Sequence, residues 1–231
     1  MTERFFGSTS SHRARDAYAP VSAANRSANV TLGKNTSAIL LNDPKLIGFT
    51  IAKHKFVGKM LNGRNRVLEI GCMDGLGSAI VCKFVGHLTS IDYYREHIEQ
   101  AQAHIGPHLA NVTFKGADIL DGGFFGFDAG FALDVLEHID PAQEDEFLRQ
   151  VCAALVPDGI FIVGMPSVES QVHASEANRR AHINCQSADQ LTATLSRYFR
   201  NVFSFGMNDE VIHTGFGPMS HYLLKVCVGL R

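Results

Sequence analysis

Short apolar runs alternate with amphipathic segments through the middle of the chain. The apolar runs predict strands at 66–70, 87–91, 112–115, 128–133 and 159–164. Apolar residues between them recur at helical spacing and predict helices at 77–85, 95–104 and 141–155. Short strands that alternate with helices are typical of βαβ units, and therefore of a mainly parallel sheet.

A helix is also predicted before this region. Pro44 suits a first helical turn and Asn62-Gly63 suits a helix end, which together predict a helix at 44–61. Lys53 is the one polar residue on the apolar face of this helix. The neighbouring lysines lie on its other side and are interpreted as a solvated face.

The end of the chain changes rhythm. Ser187 and Gln190 have the spacing of a capping box and predict a helix that ends near residue 198. Strands at 201–205 and 221–228 follow with a long loop between them, which favours an antiparallel pair at the sheet edge. The seven strands predict an α/β three-layer sandwich whose sheet is mainly parallel, with an antiparallel last strand.

Residues 1–40 differ in composition from 41–231, which we expect to form a single domain. They are rich in Ser, Ala, Asn and Arg and show no sustained periodicity. One interpretation is a disordered tail. The other is a lid that orders over a ligand, because Phe5, Phe6, Tyr18 and the patch at 33–36 are residues that a simple tail would not need. Both interpretations are open.

Composition narrows the classes of function. The net charge of −2 gives no argument for a nucleic-acid or membrane partner. Five cysteines without paired spacing argue against a disulfide framework and against a zinc cluster. The longest apolar runs are too short to span a bilayer. We therefore expect a cytoplasmic protein that acts on a small molecule, and an oligomer is compatible with the sequence.

A glycine-rich turn, EIGCMDGLG at 69–77, joins the first predicted strand to the next helix. Glycines let the backbone approach a ligand, and amides at a helix start hold polar or anionic groups. A dinucleotide site would need the spacing G-x-G-x-x-G. That spacing is absent, and Asp74 would be unfavourable beside a pyrophosphate.

Two more acids follow later strands. Asp92 comes about 20 residues beyond the glycine turn, where a carboxylate suits ribose hydroxyls. Asp118 follows the third strand. A strand-end aspartate can also simply cap a turn. However, Glu69, Asp92 and Asp118 stand at three successive strand ends, so we expect them to face one crevice.

The turn resembles motif I of class I S-adenosylmethionine-dependent methyltransferases, an acid followed by G-x-G-x-G, with Met73 in place of the middle glycine. DVLEHI at 134–139 and LVPDGIFIV at 155–163 resemble later parts of the same family. The resemblance covers about 64–164 and implies a Rossmann-like fold, with S-adenosylmethionine as cofactor and S-adenosylhomocysteine as product. It implies cofactor binding by Glu69, Gly71, Cys72, Met73, Gly75, Asp92, Tyr93, Ala117, Asp118, Ile119, Leu133 and Asp134.

His138 and His182 are the candidate catalytic residues, as bases that take a proton from the acceptor. A histidine in this position can also simply bond a local carbonyl. In some quinone O-methyltransferases the segment that matches Asp134, Glu137 and His138 is reported to bind a divalent ion. One short run is insufficient for such an assignment, so no metal site is predicted.

The predicted function is methyl transfer from S-adenosylmethionine to oxygen or nitrogen of a small polar metabolite, for example a sugar or nucleotide sugar. Polar residues at 165–184 and 207–219 indicate such a substrate, and we expect 207–219 and 1–40 to close over it. Two alternatives are an NAD-linked oxidoreductase and a catalytically silent relative that acts through a partner.

Overall fold

The structure, a computed structural model, describes residues 29–231 together with residues 17, 19 and 20. Residues Leu32–Arg231 form one compact unit, and the described residues before Leu32 belong to another. Phe5, Phe6 and Tyr18 of the predicted lid lie outside the described residues. The part of the lid that belongs to the compact unit is helical, because helix α1 spans Lys34–Asn42.

The sheet of the compact unit has eight strands. They are β1 Arg66–Ile70, β2 His87–Asp92, β3 Val112–Gly116, β4 Phe127–Leu133, β5 Leu155–Pro166, β6 Phe199–Asn208, β7 Val211–His213 and β8 Tyr222–Leu230. Their order across the sheet is β3-β2-β1-β4-β5-β8-β6-β7. Strands β1 to β6 run in one direction, and β7 and β8 run against them.

This topology confirms the predicted Rossmann-like α/β class with a mainly parallel sheet. Two details differ from the prediction. The loop expected between the last two strands contains β7, which forms a hairpin with β6. Strand β8 lies inside the sheet between β5 and β6, rather than at its edge.

Six further α-helices of the compact unit accompany the sheet. They are α2 Lys45–Met60, α3 Leu76–Val81, α4 Arg95–Gln100, α5 Glu144–Ala154, α6 Glu176–Ala181 and α7 Ala188–Leu195. The predicted capping box at the start of α7 is confirmed, with both reciprocal hydrogen bonds present. Helix α6 was not predicted. Within the described part of the chain, no helix combines the length and apolarity that crossing a membrane requires.

The two faces of the sheet are covered by different helices. On one face, Phe147 of α5 and Leu191 of α7 pack in the same apolar cluster as Leu68 of β1. On the other face, Val57 of α2 and Val81 of α3 belong to a second apolar cluster, which contains Val67, the residue before Leu68 in β1. Adjacent residues of β1 thus supply both cores, as expected of a strand buried on both sides.

The carboxyl ends of the parallel strands meet at one edge of the sheet. Strand β8 begins at this same edge, because Tyr222 pairs with Pro166 at the end of β5. Ligands of open α/β sheets bind at the carboxyl ends of the strands. We therefore expect the predicted cofactor site at this edge of the sheet.

Candidate active site

A cavity of about 650 Å³ opens at the carboxyl edge of the sheet. This volume is in the range of small-molecule and cofactor sites. Nine of the twelve predicted cofactor-binding residues line it: Gly71, Met73, Asp92, Tyr93, Ala117, Asp118, Ile119, Leu133 and Asp134. Glu69, Cys72 and Gly75 do not line it.

The glycine turn keeps a left-handed backbone at every second residue. The φ angles of Gly71, Met73 and Gly75 are 79°, 48° and 89°. A Cβ atom on Gly71 would lie 2.4 Å from Val135 Cγ2, so a side chain is excluded there. Met73 adopts the backbone conformation that a glycine would take, and it lines the cavity. The turn therefore keeps its shape without the middle glycine.

Asp92 fastens this turn to the end of β2. Its Oδ2 accepts a hydrogen bond from Met73 N at 2.9 Å, and its Oδ1 accepts one from Tyr94 N at 2.9 Å. His97 Nδ1 lies 3.2 Å from Oδ1 but is buried without a hydrogen-bond partner. Because a carboxylate has about four acceptor positions, Asp92 can bond further donors from the cavity.

Asp118 ends the next strand connection in a similar way. Its Oδ1 accepts a hydrogen bond from Leu120 N at 2.9 Å and so caps the short turn Ile119–Asp121. Tyr93, a predicted cofactor-binding residue, is 63% exposed, and its ring centroid lies 3.9 Å from that of Tyr94. The two tyrosine rings form an exposed aromatic wall beside the cavity.

Glu69 lies behind the glycine turn. Its Oε2 accepts hydrogen bonds from Ser78 Oγ at 2.5 Å and Ser90 Oγ at 2.6 Å. Burial raises the pKa of Glu69 to about 7. His54 Nε2 lies 3.9 Å from Oε1, and burial lowers the pKa of His54 to about 4. Glu69 thus joins β1, α3 and β2, and its contact with the cofactor stays a prediction.

Cys72 and Gly75 also act within the turn. The Cys72 side chain is buried, and burial raises the pKa of its thiol well above the usual value. A Cβ atom on Gly75 would lie 3.0 Å from Phe114 Cζ. Both residues contribute to the shape of the turn without lining the cavity.

Asp134 follows β4 and is paired with Lys53, which was not among the predicted site residues. Its backbone is left-handed, with φ of 56°. Its carboxylate forms an ion pair with Lys53 of α2, and Lys53 Nζ lies 4.5 Å from the Tyr222 ring centroid. Burial alone would raise the pKa of Asp134, but the Lys53 ammonium outweighs it and the pKa is lowered. The sequence signal was the polar interruption of an apolar helical face.

Glu137, His138 and His182 come together at the rim of the cavity. One potential ligand atom from each lies within 4.8 Å of the other two. Glu137 is completely buried, and neither of its carboxylate oxygens has a hydrogen-bond partner. Burial, followed by the charge of Asp134, raises the pKa of Glu137 well above its usual value. An unpartnered buried carboxyl is costly, so this cluster calls for a proton or a cation.

Each histidine of this cluster is oriented by a hydrogen bond of its Nδ1. His138 Nδ1 bonds the carbonyl oxygen of Ala181 at 3.0 Å, and His182 Nδ1 bonds Gln171 Oε1 at 3.1 Å. Both acceptors need a proton on Nδ1, which leaves a lone pair on each Nε2. Burial lowers the pKa of His182. Two neutral imidazoles and a carboxylate can hold a divalent transition metal, or act as bases.

The predicted substrate segments are placed differently. Ala181, at the end of α6, lines the cavity. Segment 207–219 instead forms the β6–β7 hairpin and a short helical turn, and none of its residues lines the cavity. Glu210 lies over α2, where a Cβ atom on Gly48 would be 2.6 Å from Glu210 Oε1. The segment thus contributes nothing to the wall of the cavity, and its closure over the substrate stays a prediction.

The described part of the predicted lid contacts the cofactor side. Asn35 Nδ2 lies 2.9 Å from His97 Nε2, and Lys34 Nζ lies 2.5 Å from Glu96 on the surface. Thr36 bonds the carboxylate of Asp74 in the glycine turn. The patch at 33–36 thus fixes the turn, rather than reaching the rim where the histidines lie.

Comparison with known proteins gives one family. The chain matches the methyltransferase domain family over residues 67–159. It is 31% identical over 110 residues to ubiquinone biosynthesis O-methyltransferase of Caulobacter sp. (strain K31), a match that covers 44% of this chain and 43% of that protein. It is 29% identical over 108 residues to carboxy-S-adenosyl-L-methionine synthase of Campylobacter fetus, covering 46% of each. The match thus spans less than half the length of these curated relatives.

A solved structure agrees in fold. N-methyltransferase NodS from Bradyrhizobium japonicum, in complex with S-adenosyl-L-homocysteine, superposes with a TM-score of 0.58 at 17% identity, over 82% of this chain and 90% of that one. The sheet order, the glycine turn and the family match agree with one another. Residues 67–159 therefore match a methyltransferase domain, and the chain is similar in sequence and fold to class I S-adenosylmethionine-dependent methyltransferases.

Proposed function

We propose that this chain binds S-adenosylmethionine in the cavity at the carboxyl edge and transfers its methyl group to a hydroxyl oxygen of a small polar metabolite. The observation that carries the choice of acceptor is the cluster of Glu137, His138 and His182 at the cavity rim. A hydroxyl is a weak nucleophile until it loses its proton, whereas a neutral amine needs no such help.

The residues of the cavity fit the cofactor. Asp92 offers carboxylate oxygens to ribose hydroxyls, and the orphaned His97 Nδ1 beside it lacks a partner that such a hydroxyl would provide. Asp118 uses Oδ1 for the Leu120 amide, so Oδ2 is the oxygen that suits an adenine amino group. The bound cofactor supplies an electrophilic methyl group on a sulfonium.

The chain's own groups orient the acceptor and take its proton. His138 faces the cavity, and its bond to the Ala181 carbonyl holds the ring with Nε2 unprotonated. His182 is held in the same tautomer by Gln171. The same three residues would hold a divalent ion, which would lower the pKa of an acceptor hydroxyl. Either arrangement leaves His138 as the group that most directly affects the acceptor.

The residues that line the cavity indicate the class of acceptor. Asp134, His138, Asp140 and Gln143 contribute polar groups to the wall of the cavity. A polyhydroxylated acceptor such as a sugar or nucleotide sugar suits this surface. The name of the Caulobacter relative also indicates an oxygen acceptor for that protein. An amine acceptor is the second candidate, but a neutral amine would not need the histidine cluster as a base.

The test is methyl transfer from radiolabelled S-adenosylmethionine to a panel of sugars, nucleotide sugars and their amino analogues. We expect transfer to a hydroxyl acceptor, and a loss of about 10²–10⁴-fold in kcat for His138→Gln, the usual range for a lost acid–base group. His173→Gln is the matched control, because His173 is exposed on the neighbouring turn outside the cluster.

Removing metal with a chelator separates the two arrangements of the cluster. If turnover stops and Co²⁺ restores it, the three residues act through a bound cation. If turnover is indifferent to chelation but lost in His138→Gln, His138 acts as the base. Transfer only to amines, with full activity of His138→Gln, would contradict the proposal.

A further inference from the structure

His97 lies between two elements of the cofactor site and contacts both. It belongs to α4, directly after the end of β2, and lines the cavity. Its Nε2 lies 2.9 Å from Asn35 Nδ2 of α1, and its Nδ1 lies 3.2 Å from Asp92 Oδ1. Neither Asn35 nor His97 belongs to the motifs that indicate the family.

The contact with Asn35 determines which nitrogen of His97 carries the proton. An amide Nδ2 is only a donor, so the imidazole Nε2 that it meets must accept. The proton of the neutral ring is then on Nδ1, the nitrogen that faces Asp92. This Nδ1 is buried and has no hydrogen-bond partner, because its approach to Asp92 does not align as a hydrogen bond.

His97 Nδ1 is a buried donor without a hydrogen-bond partner, and it lies next to the Asp92 carboxylate. Asp92 already accepts from Met73 N and Tyr94 N, and both its oxygens have acceptor positions left. A group that both donates and accepts would satisfy His97 and Asp92 together. A ribose hydroxyl is such a group: it donates to the carboxylate and accepts from the imidazole N–H.

We propose that His97 is a second ribose-binding residue beside Asp92, and that Asn35 is the positioning residue that keeps the His97 proton on Nδ1. This inference rests on the proposed function, because it takes the ligand to be S-adenosylmethionine or its product. It makes helix α1 part of cofactor recognition.

The test is calorimetric titration of S-adenosylhomocysteine into the full chain. His97→Ala removes the donor and should weaken binding about 5–10-fold, as expected for one hydrogen bond. His97→Asn should stay within about twofold, because an asparagine amide nitrogen occupies the place of Nδ1. Asn35→Leu removes the donor to Nε2, so the His97 proton is no longer held on Nδ1, and binding should weaken, though by less than in His97→Ala.

Lys34→Ala is the matched control on the same helix. It removes an exposed ion pair with Glu96 and leaves the Asn35 contact, so affinity should not change. A purely structural role of the Asn35–His97 contact would give equal losses for His97→Ala and His97→Asn. That outcome would overturn the proposal.

Deoxyribose analogues of S-adenosylhomocysteine show whether the lost contact is to the ribose. For the analogue that lacks the contacted hydroxyl, wild type and His97→Ala should bind equally, whereas the other analogue should keep the difference. A difference that persists with both the 2′-deoxy and the 3′-deoxy analogue would contradict ribose binding. Absence of any binding by the wild type would instead count against the proposed function.

Discussion

Thr36 at the start of α1 binds the carboxylate of Asp74 in the glycine turn with two hydrogen bonds. Thr36 N donates to Oδ2 at 2.8 Å, and Thr36 Oγ1 donates to Oδ1 at 2.5 Å. Asp74 is 2% exposed, so these bonds satisfy a buried carboxylate. A Cβ atom on Gly33 would lie 2.3 Å from Asp74 Cβ, so the approach requires glycine there. The cofactor turn is therefore held from outside the sheet.

Thr36→Val removes the hydroxyl donor and keeps the shape of the side chain. Because Asp74 Oδ1 would lose its partner while remaining buried, we expect a loss of about 1–3 kcal/mol in the free energy of unfolding. Urea unfolding measures this loss. Thr36→Ser keeps the donor and should recover most of it. Equal stability of the valine variant and the wild type would show that α1 is not bound to the turn in solution.

Met73 can be tested through its left-handed backbone. Met73→Gly and Met73→Ala both remove the side chain, but only glycine adopts a φ of 48° without steric conflict. We expect the glycine variant to unfold with a free energy about 1 kcal/mol above that of the alanine variant, the cost of this conformation for an L-residue. Thermal or urea unfolding of the pair decides it. A more stable alanine variant would mean that the turn has another shape.

Lys53→Met leaves the carboxylate of Asp134 without its cation. The lysine side chain is 10% exposed and that of Asp134 41%, so solvent screens part of the interaction. We expect a loss of about 1–2 kcal/mol in stability, between the values for exposed and buried pairs. Asp134→Asn in the same background should recover part of it, because the uncompensated charge is then gone. Additive losses in the double variant would refute the ion pair.

Glu69 gives a pH-dependent contribution to stability. Its pKa is about 7 in the folded protein and 4.5 as the ordinary value, so the folded state holds a proton that the unfolded state releases. Its contribution is complete below pH 4.5 and is lost as the pH rises through 7. Stability of the wild type relative to Glu69→Gln should therefore fall between about pH 4.5 and 7, by urea unfolding at each pH. A difference that is constant with pH would be incompatible with a protonated Glu69.

His54 acts in the opposite direction over nearly the same range. Its pKa is about 4 in the folded protein, against 6.5 ordinarily, so its contribution is present above pH 6.5 and lost toward pH 4. Both proteins of the comparison contain His54. The part of its contribution that does not depend on Glu69, whose Oε1 lies 3.9 Å from His54 Nε2, therefore cancels in the difference, although it masks the effect of Glu69 in the wild type alone.

Local patterns predicted the parts of the fold that local physics controls. The capping box of Ser187 and Gln190 predicted the start of α7, and the apolar runs predicted the parallel strands. Strand β7 was missed because three residues in a hairpin carry too little periodicity to be recognised. Helix α1 was missed because its contacts, Thr36 to Asp74 and Asn35 to His97, are made with residues far along the chain.

The site was predicted to a similar extent. Strand-end acids such as Asp92 and Asp118 were found because parallel topology places strand ends together. Lys53 was noticed only as a polar interruption, since its partner Asp134 is 81 residues away. His182 was selected singly, and only the fold shows that it meets Glu137. Whether residues before 29 close over the substrate stays a prediction, because they lie almost entirely outside the described part of the chain.

The central claim is that the cavity at the carboxyl edge binds S-adenosylmethionine, and calorimetric titration with S-adenosylhomocysteine tests it most directly. We expect one site per chain, no binding of NADH, and a loss of about 1–3 kcal/mol in binding free energy for Asp92→Ala in a folded protein. Tight binding of NADH without binding of S-adenosylhomocysteine, or unchanged affinity in Asp92→Ala, would contradict it.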